Sequence, residues 1–292
     1  MNRTLSVEWE REIGWRLRDE FSQVYYDAPF FALDHDKLGF LFLGEGTGAI
    51  EWVLLDKYGN LEQAHFKTAS KVGLPFTWII KQEKDSWSVW CNENVQFKIT
   101  YSGNIMPAIL PKEGFPVNDY CYVNKTYVFD QLEIGHKGMC GYTCTDLETK
   151  RIMWTVQTQG YLYTDIQRID NRLFICTAGH GGFVYCIDLY TGEIRYQITT
   201  KGTAKIQFEK DFFVCYYLGK KGELLIVETE TGQILQSLPL YTVGIHSPLL
   251  LAGDQTVYTL SFNRCDKQSW SAIISKVSVC QGDGSVDTGR AY

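Results

Sequence analysis

Proline and methionine are scarce in this 292-residue chain, at seven and four residues. Stretches rich in Ala, Leu, Glu and Lys, the usual composition of long helices, are missing. No apolar run is long enough to form a membrane-spanning helix, so no membrane partner is expected. The start, from Met1 to Leu17, holds Leu5, Val7, Trp9, Ile13 and Trp15, but Glu8, Glu10, Arg11 and Glu12 break them up. That is not the apolar core of a secretory signal. A basic excess is also lacking: 28 Lys and Arg face 34 Asp and Glu, a net charge of -6 at pH 7. This balance argues against a nucleic-acid partner held by phosphate neutralisation. With 45% hydrophobic and 21% charged residues, the composition excludes a disordered or collagen-like chain.

Aromatics and glycine are plentiful instead, with 18 Tyr, 16 Phe, 8 Trp and 26 Gly. Such a profile belongs to short strands joined by tight turns. There are nine cysteines. An odd count without a secretion signal leads us to expect reduced thiols and a cytoplasmic location. Cys140 and Cys144 are loosely spaced for a metal site and no matching second pair follows. Cys176, Cys186 and Cys215 fall inside apolar strands and read as small buried hydrophobes, so no metal is expected.

A repeat of about 42 residues is the strongest signal. Asp146-Leu147-Glu148-Thr149-Lys150-Arg151-Ile152, Asp188-Leu189-Tyr190-Thr191-Gly192-Glu193-Ile194 and Glu228-Thr229-Glu230-Thr231-Gly232-Gln233-Ile234 align, with threonines 42 and 40 residues apart. Weaker copies begin at Asp56, Thr100 and Gln281. A second marker keeps the same period: Gly73, Gly114, Gly160, Gly202 and Gly244 are spaced 41, 46, 42 and 42, and each opens an apolar stretch. Pro29, Pro75 and Pro116 add an earlier copy near Asp27.

Each unit reads as four strands. The clearest has Tyr161 to Gln167, Leu173 to Thr177, Phe183 to Asp188 and Ile194 to Thr199. In its last turn Asp188 or Thr191 can bond the backbone, and Gly192 accepts a positive φ. Four antiparallel strands per unit make a blade that exposes both faces, so it requires neighbours stacked around an axis. The expected fold is therefore all-β. It is a single β-propeller over 1–292 of about six four-stranded antiparallel blades, with seven as the other count. Blades start near 27, 73, 114, 160, 202 and 244. The last unit has three good strands and then a polar tail from Gln281 to Tyr292, which would leave an open edge. Leu5, Val7 and Trp9 are expected on an N-terminal strand that completes this blade and closes the ring. The alternative for residues 1–26 is a short capping helix over Glu8 to Phe21.

The Asp-x-x-Thr-Gly-Glu-Ile turn, followed by an aromatic (Trp154, Tyr196), resembles the repeat of quinoprotein-like (PQQ-type) β-propellers. The match is good over residues 140 to 240 and weak before 110. It is a structural turn, so the resemblance implies a fold and not an activity. Members that bind the quinone use two adjacent disulfide-linked cysteines, an aromatic platform and a calcium site. No two cysteines here are adjacent, and no cofactor is expected. Similarity to WD40 propellers is architectural, because the Trp-Asp dipeptide is absent.

In propellers, as that resemblance implies, binding uses the axial channel and the face carrying the loops between strands two and three. The last four of these loops carry His136, Lys137, His180, Lys220, Lys221, Arg264 and Lys267, with Lys201, Lys205 and His246 nearby. Such an arc on an acidic protein would attract an anionic ligand or an acidic partner. Tyr161, Tyr163 and Asp165 begin an inner strand and face either the channel or a neighbouring blade. Catalytic patterns are weak. Gly44 to Gly48 joins two strands and is not a phosphate loop. Asp34-His35-Asp36 forms a turn whose carboxylates favour a charged His35, and a metal role for it is a minor alternative. The expected function is a non-catalytic binding propeller, a scaffold holding an acidic protein or an anionic small molecule. The alternative is a hydrolase, lyase or small-molecule receptor acting in the channel on an anionic substrate.

Overall fold

A computed structural model describes residues 3–17, 30–43, 50–62, 78–91, 95–108, 125–179, 181–217, 221–243, 249–253, 255–264 and 270–281. These form 25 strands and one 3-10 turn, Asp34–Asp36, with no α-helix among the described residues. The strands lie in six antiparallel sheets. Blade 1 holds β2 (Phe30–Ala32), β3 (Leu38–Leu43), β4 (Ile50–Leu55) and β5 (Leu61–Glu62). Blade 2 holds β6 (Trp78–Gln82), β7 (Ser86–Cys91), β8 (Val95–Thr100) and β9 (Ile105–Pro107). Blade 3 holds β10 (Tyr127–Phe129), β11 (Leu132–His136), β12 (Gly141–Asp146) and β13 (Ile152–Gln157). Blade 4 contains β14 (Tyr161–Leu162), β15 (Gln167–Ile169), β16 (Arg172–Ala178), β17 (Phe183–Asp188) and β18 (Ile194–Thr199). Blade 5 contains β19 (Ala204–Phe208), β20 (Phe212–Tyr217), β21 (Glu223–Glu228) and β22 (Ile234–Pro239). Blade 6 has β23 (Leu249–Ala252), β24 (Thr256–Arg264) and β25 (Trp270–Gln281), and its fourth place is taken by β1 (Arg3–Leu17).

Every residue of β16, β17 and β20 is buried, whereas the outer strand β18 is largely exposed. A blade's middle strands are covered on both faces, so they read as continuous apolar runs rather than alternating ones. Successive side chains still serve different interfaces, as the pleat dictates. Leu173 and Ile175 pack with Ile134, Tyr142 and Trp154 of blade 3, while Phe174 and Cys176 pack with Ile206, Phe213 and Cys215 of blade 5. Val214, Tyr216 and Ile226 of blade 5 meet Val257, Val277 and Leu5 of blade 6. Tyr258, Leu260 and Ile274 then meet Leu38, Phe40 and Leu55 of blade 1, and Leu41, Trp52 and Leu54 meet Val89, Phe97 and Ile99 of blade 2. The described residues thus form five successive inter-blade cores, running through blades 3, 4, 5, 6, 1 and 2.

The N-terminal strand closes blade 6 as the open edge required. It pairs with β25 from Arg3 opposite Gln281 to Leu17 opposite Trp270, with bulges at Val7/Trp9 and Ile13/Leu17. A capping helix from Glu8 is overturned, because the strand ladder continues to Leu17. The inner strand of blade 4 also departs from expectation. Instead of one strand from Tyr161 to Gln167 there are two short pieces, both paired with β16. Between them Asp165 turns toward blade 3, where it meets Lys125 at 2.5 Å and accepts a hydrogen bond from the Tyr127 hydroxyl at 2.9 Å.

The repeated turn does two jobs. Within its own blade, the Asp188 carboxylate accepts the N–H groups of Tyr190 and Thr191, both at 3.0 Å, and Asp146 does the same for Glu148 and Thr149. The Thr149 N–H and hydroxyl hold the Asp146 carboxyl below its ordinary range. Across to the preceding blade, the turn receives an aromatic ring. Trp154 lies against Gly192 and donates from Nε1 to the Leu189 carbonyl at 2.8 Å, and Tyr196 lies against Gly232 and donates to the Thr229 carbonyl at 2.8 Å. Trp9 of β1 does this to the blade 1 turn, its ring against Gly59 and its Nε1 3.0 Å from the Lys57 carbonyl. The closing strand therefore docks blade 6 onto blade 1 by the contact used between blades 3 and 4. Gly192 and Gly232 both have φ +73, where a Cβ would also strike the ring, so glycine is required twice over.

Candidate binding face

Because the strands alternate in direction, the turns between second and third strands and the connections between blades share one face, called upper here. The expected residues distribute over it unevenly. Lys137 is exposed at the tip of the β11–β12 hairpin, where its N–H reaches the Gly141 carbonyl at 2.8 Å. His136 lies one residue back, half-buried, with its ring 5.2 Å from that of Tyr142. Burial pushes the Tyr142 hydroxyl well above the usual tyrosine range. Lys221 is exposed beside Gly222, whose backbone bonds to Leu240 and Tyr241 of the connection leaving blade 5. Lys205 is half-buried on β19, in register with Tyr216.

In blade 4 the face is built by close backbone approach. A Cβ on Gly182 would sit 2.0 Å from the Gly202 carbonyl oxygen, so the β16–β17 hairpin lies directly on the connection to blade 5. Thr200 seals this contact, its N–H bonding to the Gly182 carbonyl and its hydroxyl to the Gly202 carbonyl at 2.5 Å. Beside it Lys201 is exposed, and the exposed Tyr161 ring lies over Gly179. Tyr163 is half-buried, its N–H on the Cys176 carbonyl at 3.0 Å. Asp165 is committed to Lys125 and Tyr127. His180, Lys220, His246 and Lys267 lie outside the described residues, as does the side chain of Arg264.

Two further exposed side chains on this face, Met139 and Tyr241, escaped the sequence reading. Their signal was positional. Met139 follows the hairpin tip Lys137-Gly138, and Tyr241 precedes the marker glycine Gly244 in the connection between blades.

The Asp34-His35-Asp36 trio is exposed in its single turn, and among the described residues no three His, Cys, Asp or Glu side chains converge as a metal would require. The thiols of Cys144, Cys176, Cys186 and Cys215 are free and buried. Burial pushes Cys144 up to about 11 and Cys176 up to about 12, the direction opposite to a reactive nucleophile.

The fold defines the class: a β-propeller of six antiparallel sheets, five of four strands and one whose inner strand is split in two, with the N-terminal strand in the last of them. No family model matches the chain, and no curated protein is significantly similar to it. Among solved structures it is similar to BamB from Moraxella catarrhalis, at 10% identity over 85% of this chain and 71% of that one, with a TM-score of 0.36. It is also similar to the WD40 domain of coronin from Toxoplasma gondii, at 10% identity over 94% and 87%, TM-score 0.37. A third likeness is to the computationally designed Ika8 protein, at 12% identity over 83% and 69%, TM-score 0.39.

Proposed function

We propose that this chain is a non-catalytic binding propeller that holds an acidic protein partner on its upper face. One observation carries the reading. Met139, Tyr161 and Tyr241 are exposed on the face where Lys137, Lys201 and Lys221 are exposed too, and these lysines form no ion pair among the described residues. Aromatics and methionine are enriched at the centres of protein interfaces, and unpaired cations steer and register an acidic surface. On the lower face three arginines are paired instead: Arg168 with Asp130 at 2.6 Å, Arg195 with Asp188 at 2.5 Å, and Arg172 with Glu230. The reading also counts His180, Lys220, His246 and Arg264, which lie wholly or by their side chains outside the described residues, along with the half-buried His136 and Lys205.

The test is a pull-down from the protein's own source with two baits. One is the native chain and the other carries Lys137→Glu, Lys201→Glu and Lys221→Glu. A protein captured by the first, released by moderate salt and lost from the second supports the reading. Capture that survives all three charge reversals refutes it, as does saturable binding of small anionic metabolites with no protein captured.

A further inference from the structure

The lower face carries a cleft of about 480 Å³ where blades 4, 5 and 6 meet. Its floor is cationic. Arg172, at the start of β16, keeps 9% of its side chain exposed, and Arg3, at the start of β1, keeps 11%. The Arg172 guanidinium donates to the Thr229 carbonyl at 3.3 Å, to Glu230, and to Asp170 at 3.4 Å. The Arg3 guanidinium stacks 4.2 Å from the centroid of Phe212, while Asp211 stands 4.0 Å away, beyond hydrogen-bond reach. The rim is acidic and exposed: the side chains of Asp170, Glu230 and Asp211 are 81%, 69% and 53% exposed. Lys210, also at the rim, is exposed and forms no ion pair among the described residues.

Buried cations below and exposed carboxylates above select by charge pattern. An occupant with only negative charge must pass Asp170, Asp211 and Glu230, and one with only positive charge meets Arg3, Arg172 and Lys210. An occupant with both signs satisfies both layers. Its carboxylate takes the Arg172 fork, for which planar bidentate groups are suited, and its cation takes the freed Glu230 and Asp170. The volume falls in the range of about 300–1,000 Å³ typical of small-ligand sites, which suits several residues of extended chain. We propose that this cleft is a second binding site, independent of the upper face, for an extended peptide in which acidic and basic side chains alternate. Exchange of one carboxylate for another on Arg172 is nearly neutral, so the gain comes from Arg3 and Lys210 and weakens with salt.

Fluorescence anisotropy with three labelled peptides of equal length tests this: alternating Asp and Arg spaced by glycine, Asp and glycine only, and Arg and glycine only. The alternating peptide should bind about tenfold tighter than either of the others, the size of one good charge-assisted contact. Lys210→Glu leaves the fold intact, since Lys210 is exposed, and should erase most of that preference. Arg3→Gln should do the same where circular dichroism shows the native sheet, because Arg3 is the other cation from which the gain comes. Equal binding of the three peptides, tightest binding of a single-sign peptide, no saturable binding, or an unchanged preference in Lys210→Glu each overturns the proposal.

Discussion

The aromatic ring seated on the next blade's glycine turn is the contact most open to measurement, and Trp154 with Gly192 is its best-defined case. Trp154 is buried, so Trp154→Ala should cost about 3–5 kcal/mol, part of it from the Leu189 carbonyl left without its donor. Gly192→Ala acts on the same contact from the other side. At φ +73 an alanine loses about 1–2 kcal/mol through its backbone alone. Its Cβ would also lie 2.6 Å from Trp154 Cγ, so the ring must shift, at about 1–3 kcal/mol more. In the double variant the ring is gone and the second cost disappears. The two substitutions should therefore fall short of additivity by about 1–3 kcal/mol, well outside the few tenths seen for independent sites. Urea unfolding followed by far-ultraviolet circular dichroism reads all four species without relying on the lost tryptophan. Additive costs, or a Trp154→Ala cost under about 1 kcal/mol, would show that the apolar blade faces join blades 3 and 4 without help from this ring.

Two other expectations follow from single positions. Lys150 fills the place of Gly192 in blade 3 at φ +58, so Lys150→Gly should raise the urea midpoint. Release of left-handed strain, offset by the greater freedom of unfolded glycine, leaves a gain of about 0.5–1 kcal/mol. A lowered midpoint would mean that the lysine side chain contributes more than its backbone loses. Cys176 and Cys215 should resist thiol reagents in the native protein at pH 8, while the exposed Cys280 reacts, as peptide mapping by mass spectrometry will read. Burial raises both buried thiols, Cys176 from 9.0 to about 12, so the folded state holds them protonated. That contribution to stability is complete below pH 9 and is lost as pH climbs toward 12, so the urea midpoint should fall across that window.

How far the chain could be read depended on how local each cause was. The bounds of β17 and β18 were legible to the residue, because turn and glycine signals fix both ends within the same stretch of sequence. The closing strand was legible by a different argument: a last blade with three strands and a polar tail leaves an edge that something apolar must cover. The split of the inner strand of blade 4 was not legible, since it follows from Lys125 in the preceding blade drawing Asp165 out of the ladder. The same holds for the sites. Counting cations in loops named Lys137 and Lys221, which are exposed, and His136, which is half-buried beside Tyr142, and it passed over Met139 and Tyr241.

The lower cleft shows this limit most clearly. Arg3 and Arg172 stand 169 residues apart in the sequence (172 − 3), and neither belongs to the repeated motif. They share a floor only because β1 crosses back to β25 and brings Arg3 onto Phe212 and beside Asp211 of blade 5. The pairing that completes the sixth sheet is thus the same pairing that completes the cleft. Any change that frees β1 should undo the blade 6 contact with blade 1 and the cleft floor together, while leaving Lys137 and Tyr161 on the far face in place.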